Sequence, residues 1–197
     1  MKKVEQIRPE KGETVDSLLR KMERAGVMGG GRLAEAANIM EQMIKDKDCI
    51  VFLGIAGALV PGGMKEIIIQ MLERGWVDVL VTTGANITHD LFESLGYHHL
   101  QGSPHVDDAE LNKQGIDRIY DTFLKNQVYE DLEKFFNSHF DELKDTEKIN
   151  DFLWKLGSLI KTRSILKVCY EKKIPIFCPA IADSGIGMMI WNNIIQG

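Results

Sequence analysis

Three short segments hold the residues of this 197-residue chain that could bind a ligand. They span residues 54–63, 83–89 and 179–187, and each follows an apolar run of the length expected for a buried strand. In an open parallel sheet, ligands bind beyond the carboxyl ends of the strands. We therefore expect the three segments to meet and to form one binding site.

The first of these segments, Gly54–Gly63, is rich in glycine and precedes a predicted helix. Its backbone N–H groups and the N-terminus of that helix could hold a phosphate. The chain has no G-x-G-x-x-G, Walker A or G-x-S-x-G motif. By itself, the segment fits either a cofactor site or a loop whose glycines serve packing.

The other two segments add polar side chains. His89 could act as an acid, a base or a hydrogen-bond donor, because histidine titrates near neutral pH. Helix capping is the structural alternative for this segment, with Asn86 or Thr88 as the N-cap and Asp90 in the first turn. Asp183, in the third segment, could accept hydrogen bonds from a ribose or from a cationic substrate.

A metal site is not expected. The imidazole and carboxylate groups between residues 98 and 108 fit no standard zinc pattern, although they are close in sequence: His98, His99, His105, Asp107 and Asp108. The three cysteines Cys49, Cys169 and Cys178 lie in apolar surroundings and form no C-x-x-C pair. We interpret them as buried thiols rather than as redox or zinc ligands.

Composition excludes several classes of protein. Apolar residues make up 44% of the chain, which is enough to form a core. The net charge of -5 gives no general attraction to nucleic acid or to anionic lipid, so neither is an expected partner. No apolar run approaches the roughly 20 residues that span a bilayer, and the N-terminus has no apolar signal region. The predicted location is the cytoplasm.

The predicted fold is α/β, a Rossmann-like parallel sheet with helices on both faces. Residues 1–47 are predicted as an N-terminal helical arm and residues 48–197 as the α/β domain. Buried strands are predicted at 49–53, 77–82 and 174–178. The arm breaks at residues 29–31, three glycines that form either a hinge or a place of close backbone approach.

The remaining segments are less regular. Residues 97–126 have a loop-like composition, which indicates a functional excursion or an oligomer contact. Residues 127–172 are predicted as two helices, and a last apolar helix is predicted from Met188. Three strands form a small sheet with an open edge, and the chain stops within an apolar helix. We therefore expect an incomplete domain, or a partner that covers it.

The order and spacing of five segments resemble the deoxyhypusine synthase family. The segments are 26–33, 52–54, 77–84 with 90–91, 115–119 and 174–187, so the resemblance extends over essentially the whole chain. Segments 84–90 and 102–108 are more similar to the synthase-like branch of bacteria and archaea. The resemblance implies a Rossmann-like sheet and a homotetramer built from dimers.

The resemblance also implies chemistry. Family members use NAD to dehydrogenate spermidine, carry its aminobutyl group on an enzyme lysine, and pass it to a lysine of a translation factor or to a second amine. Carried over by motif, the NAD contacts are Gly57, Ala58, Leu59, Val60, Pro61, Thr83, Gly84, Ala85, His89 and Asp183. Thr88, His89 and Met188 occupy the positions of three acidic residues that hold the polyamine. Because a polyamine favours carboxylates, these replacements point to a different amine or to a substrate with its own carboxylate.

The nucleophilic lysine of the family has no counterpart in this sequence, so no catalytic residue is predicted. The leading hypothesis is the NAD-binding half of an aminoalkyl transferase, inactive without a further segment or a partner subunit. A non-catalytic family member that acts in oligomerisation or regulation is the alternative. A generic Rossmann-like oxidoreductase is a third.

Overall fold

A computed structural model describes residues 1–196, with side chains to residue 192. Its contacts divide into two units, Met1–Val51 and a second unit that begins at Phe52. The described helices are α1 (Val15–Ala25), α2 (Met28–Lys45), α3 (Lys65–Glu73), α4 (Gly84–Ser94), α5 (Asp108–Lys113), α6 (Gln127–Leu143), α7 (Ile149–Leu159), α8 (Ile165–Lys172) and α9 (Gly185–Gln196). The described strands are β1 (Phe52–Ile55), β2 (Val79–Thr82), β3 (Leu100–Gln101), β4 (Ile116–Ile119), β5 (Thr122–Lys125) and β6 (Ile176–Phe177).

The first unit is a pair of packed helices. Thr14 caps α1, because its hydroxyl accepts a hydrogen bond from the Ser17 N–H at 3.1 Å. The helix ends at Gly26, whose φ of 67° is a left-handed conformation that glycine favours. The break is therefore at Gly26, and the predicted hinge at residues 29–31 is wrong. The alternative of close approach is correct for Gly31, where a Cβ would lie 2.7 Å from the carbonyl carbon of Gly26.

The second unit contains the parallel sheet, whose strand order is β1-β2-β6. Strand β2 is central and pairs in parallel with both neighbours, with Leu80 opposite Leu53 on one side and Ile176 on the other. Leu80 and Ile176 are buried in one apolar core that includes Ile69 and Leu72 of α3. The predicted α/β fold with a parallel sheet and helices is confirmed.

Some boundaries differ from the sequence-based expectations. The first strand begins at Phe52 rather than at residue 49, and the helix after the glycine-rich segment begins only at Lys65. The last helix begins at Gly185, three residues before the predicted start at Met188. The last difference arises because Ser184 caps this helix: its Oγ accepts a hydrogen bond from the Gly187 N–H at 3.3 Å.

Residues 97–126 form regular structure that the sequence did not predict. Strands β3, β5 and β4 make an antiparallel sheet in that order, with α5 beside it. Gly102 lies against this sheet, where a Cβ would be 2.4 Å from the ring of Phe123. The strands were missed because they are two to four residues long and carry charged residues such as Asp117 and Arg118.

Residues 127–172 form three helices rather than the two predicted. The chain is extended at Ile160, and α8 starts after Ser164, whose hydroxyl accepts a hydrogen bond from the Lys167 N–H at 3.1 Å. Helices α7 and α8 then pack closely, because a Cβ on Gly157 would lie 2.4 Å from the carbonyl oxygen of Leu166. Among the described residues, no helix has the length and apolar character needed to cross a membrane.

Candidate functional site

A cavity of about 400 Å³ opens at the carboxyl ends of β1, β2 and β6. Residues from the three loops that follow these strands line it, together with Ile119 at the end of β4. The lining residues are Gly57, Ala58, Thr83, Gly84, Ala85, His89, Ile119, Pro179, Ala180 and Asp183. The three loops thus meet as predicted, at the edge of the sheet where ligands of parallel sheets bind.

The N-terminus of α4 forms one wall of the cavity. Thr83 is its N-cap residue, and its hydroxyl accepts a hydrogen bond from the Asn86 side chain but none from a backbone N–H, so the first-turn N–H groups have no side-chain cap. Gly84 brings the backbone close to the loop after β6, since a Cβ there would lie 2.4 Å from Ser184 Oγ. The wall therefore offers backbone donors and the positive end of a helix dipole to an anionic group.

The loop after β6 contributes a carboxylate to the lining. Asp183 is exposed and is the one carboxylate among the described lining residues. Ala180 beside it has a φ of 55°, a left-handed conformation that costs a non-glycine residue about 1–2 kcal/mol. Strain of this kind concentrates at functional sites. The cavity can accordingly both donate and accept hydrogen bonds.

His89 connects the cavity to a buried polar network. Its Nδ1 lies 2.9 Å from His99 Nε2, and His99 Nδ1 lies 2.9 Å from Glu93 Oε1. The ring of His89 also contacts the edge of Phe92, with 5.3 Å between centroids. Burial, and next the nearby His99, lower the pKa of His89 to about 4, so that this ring is neutral at pH 7.

The network continues into the core. Lys65 Nζ lies 3.2 Å from Glu93 Oε2 and 3.1 Å from Asp90 Oδ1. Asp90 is fully buried, and its carboxylate accepts the N–H groups of Ile165 and Leu166 at 3.1 Å each. It thereby caps α8, a helix 75 residues further along the chain. Burial raises the pKa of Asp90, while Lys65 and the two N–H groups oppose the rise.

The expected capping of α4 by Asn86 or Thr88 is wrong, as is the place of Asp90 in its first turn. The helix starts at Gly84, and Asn86 instead bonds to Thr83 Oγ1 at 3.3 Å. The Thr88 hydroxyl donates to the Gly84 carbonyl at 2.8 Å and accepts the Ile186 N–H at 3.3 Å. Both side chains are buried and hold α4 against its neighbours.

Seven of the ten residues expected at NAD line the cavity: Gly57, Ala58, Thr83, Gly84, Ala85, His89 and Asp183. The other three, Leu59, Val60 and Pro61, are not part of its lining, and Val60 and Pro61 are buried. Of the expected substrate contacts, His89 lines the cavity and Thr88 is buried behind it. Met188 lies in a separate apolar hollow beside Trp191.

The sequence reasoning missed Lys65, Glu93 and the pairing of His99. One signal was available, because His89 and Glu93 are four residues apart and so share a face of α4. No group of three or more histidine, cysteine or acidic residues in the described part of the chain is arranged to hold a metal. Cys169 and Cys178 are buried free thiols as predicted, whereas Cys49 is a free thiol that is only half-buried. Burial raises the pKa of Cys169 to about 12 and that of Cys178 to about 11.

Comparisons with known proteins bear on this fold and site. The family model for deoxyhypusine synthase matches residues 17–196. Probable deoxyhypusine synthase 1 of Methanosarcina mazei is 43% identical over 181 residues, which are 90% of this chain and 56% of that protein. A deoxyhypusine synthase-like protein of Chlorobaculum parvum is 40% identical over 174 residues, or 82% of this chain and 49% of that protein. The chain thus spans about half the length of these relatives.

A structural comparison agrees on the fold. A crystal structure from Entamoeba histolytica that is assigned as a deoxyhypusine synthase aligns with a TM-score of 0.62 at 19% sequence identity. The alignment covers 93% of this chain and 64% of that one. Since the family model and the sequence relatives extend over most of the chain, this protein belongs to the deoxyhypusine synthase family.

Proposed function

We propose that this chain carries the NAD-binding part of a deoxyhypusine synthase-like aminoalkyl transferase. The donor would be a polyamine or a related amine, and the acceptor a lysine of a protein such as a translation factor, or a second amine. One observation carries the proposal: seven of the ten residues expected at NAD line a single cavity at the carboxyl edge of the parallel sheet.

Three features of the cavity support a bound dinucleotide. Its volume of about 400 Å³ falls within the range of roughly 300–1,000 Å³ of small-molecule sites. The uncapped N-terminus of α4 suits a pyrophosphate, and no lysine or arginine is found in the described lining to do that task instead. The Asp183 carboxylate suits ribose hydroxyls, which are hydrogen-bond donors.

When bound, NAD would supply the acceptor for a hydride from the carbon beside the amine nitrogen. The residues of this chain would position both molecules. The N–H groups of Gly84 and Ala85 would hold the phosphates, and Gly57, at φ 73°, would let the backbone approach closely. His89, neutral at pH 7, would contact the substrate through Nε2. The family's nucleophilic lysine has no counterpart here, so we propose that another segment or a partner subunit supplies it.

A second function has support of its own. Several large apolar side chains are exposed, with Phe52 62%, Phe177 52% and Trp191 64% accessible. Exposed apolar surface of this kind indicates a protein–protein interface. A non-catalytic member that acts through assembly, such as a homotetramer or a complex with a partner subunit, is therefore the alternative.

Native mass spectrometry and calorimetry of the chain with NAD test the proposal. We expect one NAD per chain, and Asp183→Asn to weaken binding about tenfold through loss of a charged acceptor. Asp145→Asn is the matched control, because Asp145 is exposed and lies outside the cavity lining. Binding of NAD with equal affinity to both variants would contradict the assigned site. Absence of NAD binding would leave the assembly function as the better explanation.

A further inference from the structure

Three side chains form a line from the cavity to the interior: His89, His99 and Glu93. The contact between His89 Nδ1 and His99 Nε2 is 2.9 Å long. A contact of that length between two ring nitrogens is a hydrogen bond and contains one proton, since one nitrogen must donate and the other accept. Whether His99 Nε2 carries a proton therefore decides whether His89 Nδ1 donates or accepts.

Glu93 fixes the inner end of this line. Its partial burial raises the pKa of Glu93, but the hydrogen bond from His99 and the charge of Lys65 lower it more, and the net pKa is below its usual value. The ionised carboxylate can only accept hydrogen bonds. His99 Nδ1, which lies 2.9 Å from Glu93 Oε1, must consequently carry a proton in every state of the network.

His99 then has two states. When His99 is neutral, its Nε2 has no proton and accepts one from His89 Nδ1. When it is protonated, its Nε2–H donates to His89 Nδ1. Because His89 stays neutral, its own single proton lies on Nδ1 in the first state and on Nε2 in the second.

The second nitrogen of His89 is the one left for a ligand. His89 lines the cavity, and its Nε2 has no hydrogen-bond partner in the described chain, nor is it among the buried polar atoms that lack one. A proton on Nε2 makes it a donor, and its absence makes it an acceptor. The state of His99 is thus transmitted to the cavity without any movement of a ring.

We propose that His99, held by Glu93, is a positioning residue that decides whether His89 presents a hydrogen-bond acceptor or a donor to the ligand. With neutral His99, the His89 acceptor and the Asp183 carboxylate both favour an ammonium or another N–H donor. With protonated His99, the His89 donor opposes an ammonium and favours a carboxylate or carbonyl oxygen. The same cavity thereby changes its preferred substrate group with pH.

Other titratable groups surround the network. Lys65 on α3 bridges the carboxylates of Asp90 and Glu93 on α4. Cys169 on α8 lies near Asp90, Tyr129 on α6 contacts the ring of Phe92, and Asp183 lines the same cavity as His89.

Nitrogen-15 NMR of the full chain in the absence of ligand tests the tautomer exchange, and this part is independent of the proposed NAD site. The chain has five histidines, which single His→Gln variants assign. As His99 takes up its proton, we expect the protonated nitrogen of His89 to change from Nδ1 to Nε2. Glu93→Gln should move the midpoint of this change to lower pH, because His99 loses an anionic partner.

His98→Gln is the control, because His98 is the exposed neighbour of His99 and should leave the midpoint unchanged. The proposal would be overturned if His89 kept its proton on the same nitrogen at pH values above and below the midpoint. It would also be overturned if the midpoint were the same in folded Glu93→Gln as in the unchanged protein.

The ligand preference rests on the proposed function and is tested with spermidine. Its affinity should be about fivefold higher above the His99 midpoint than below it, the effect of one hydrogen bond. NAD affinity, measured at both pH values, separates failure of this preference from failure of the NAD site. Equal spermidine affinity on both sides of the midpoint, with the tautomer change observed, would overturn the assigned role in specificity.

Discussion

Replacement of Asp90 by asparagine should destabilise the protein strongly, although the side chain keeps its size. The carboxylate is fully buried and accepts two N–H groups from the start of α8 while it pairs with Lys65 at 3.1 Å. An asparagine has one acceptor oxygen, so its NH₂ group would face either a backbone donor or the lysine. At least one buried donor would lose its partner.

The expected loss can be worked from these contacts. A buried donor without an acceptor costs about 1–3 kcal/mol. Removal of one partner of a buried ion pair costs about 3–5 kcal/mol, and the lower end applies because Lys65 keeps Glu93. These effects overlap, so we expect Asp90→Asn to lower the free energy of unfolding by about 3 kcal/mol in total. For a chain of this length, that corresponds to a fall in Tm of about 6–12 °C.

Urea unfolding and a thermal melt measure this loss, and hydrogen exchange locates it. The amide of Ile165 or of Leu166, whichever loses its acceptor, should exchange faster in the variant. Asp108→Asn is the matched control: the same substitution at an exposed carboxylate paired with Arg118, where we expect no resolvable change. A loss below about 1 kcal/mol for Asp90→Asn would refute the reasoning, because the network would then not depend on the carboxylate charge.

Three further predictions concern the core and pH. Thr82 Oγ1 is the buried side-chain polar atom without a partner in the described chain, so Thr82→Val should raise the free energy of unfolding by about 1 kcal/mol; a decrease would indicate a water or ligand bonded to that hydroxyl. Gly157→Ala should destabilise by about 2 kcal/mol or more, since the added Cβ would lie 2.4 Å from Leu166 O, while Gly54→Ala, with open space around it, provides the comparison by thermal melting. Because the pKa of His89 falls from 6.5 in the unfolded chain to about 4 in the fold, the unfolded state binds more protons between these values. Stability should accordingly fall as pH drops from about 6.5 to 4, by about 1–2 kcal/mol given the partial exposure of the ring, and urea unfolding of His89→Gln should show a flatter profile.

The sequence determined the parallel sheet and the location of the cavity. Runs such as Val79–Thr82 have the length and the β-branched content of buried strands, and residues that follow parallel strands must meet at one edge. Helix starts at Thr14 and Ser164 also carry a local signal, which was not used for the prediction: each capping residue bonds an N–H three residues further along. These features depend on neighbours in sequence, so a pattern can reveal them.

Such patterns could not predict the short strands or the glycine at a close backbone contact. Residues 116–125 form a two-stranded ladder only because β4 and β5 pair with each other, and their polar composition indicated a loop. Gly31 looked like part of a hinge, yet it serves the close approach of another backbone segment within the first unit. In both cases, a partner element decides the conformation against local propensity.

The polar network was decided by the tertiary structure alone. Asp90 lies in α4, and sequence position suggested that it would lie in the first turn of that helix. It caps α8 instead, because the packing of the two helices places that N-terminus against a buried carboxylate that needs donors. Lys65 is 25 residues from Asp90 and His99 is ten from His89, so their contacts exist only once the chain has folded. Local sequence patterns indicate the longer buried strands and helices, whereas the folded structure decides which side chains meet and therefore their protonation.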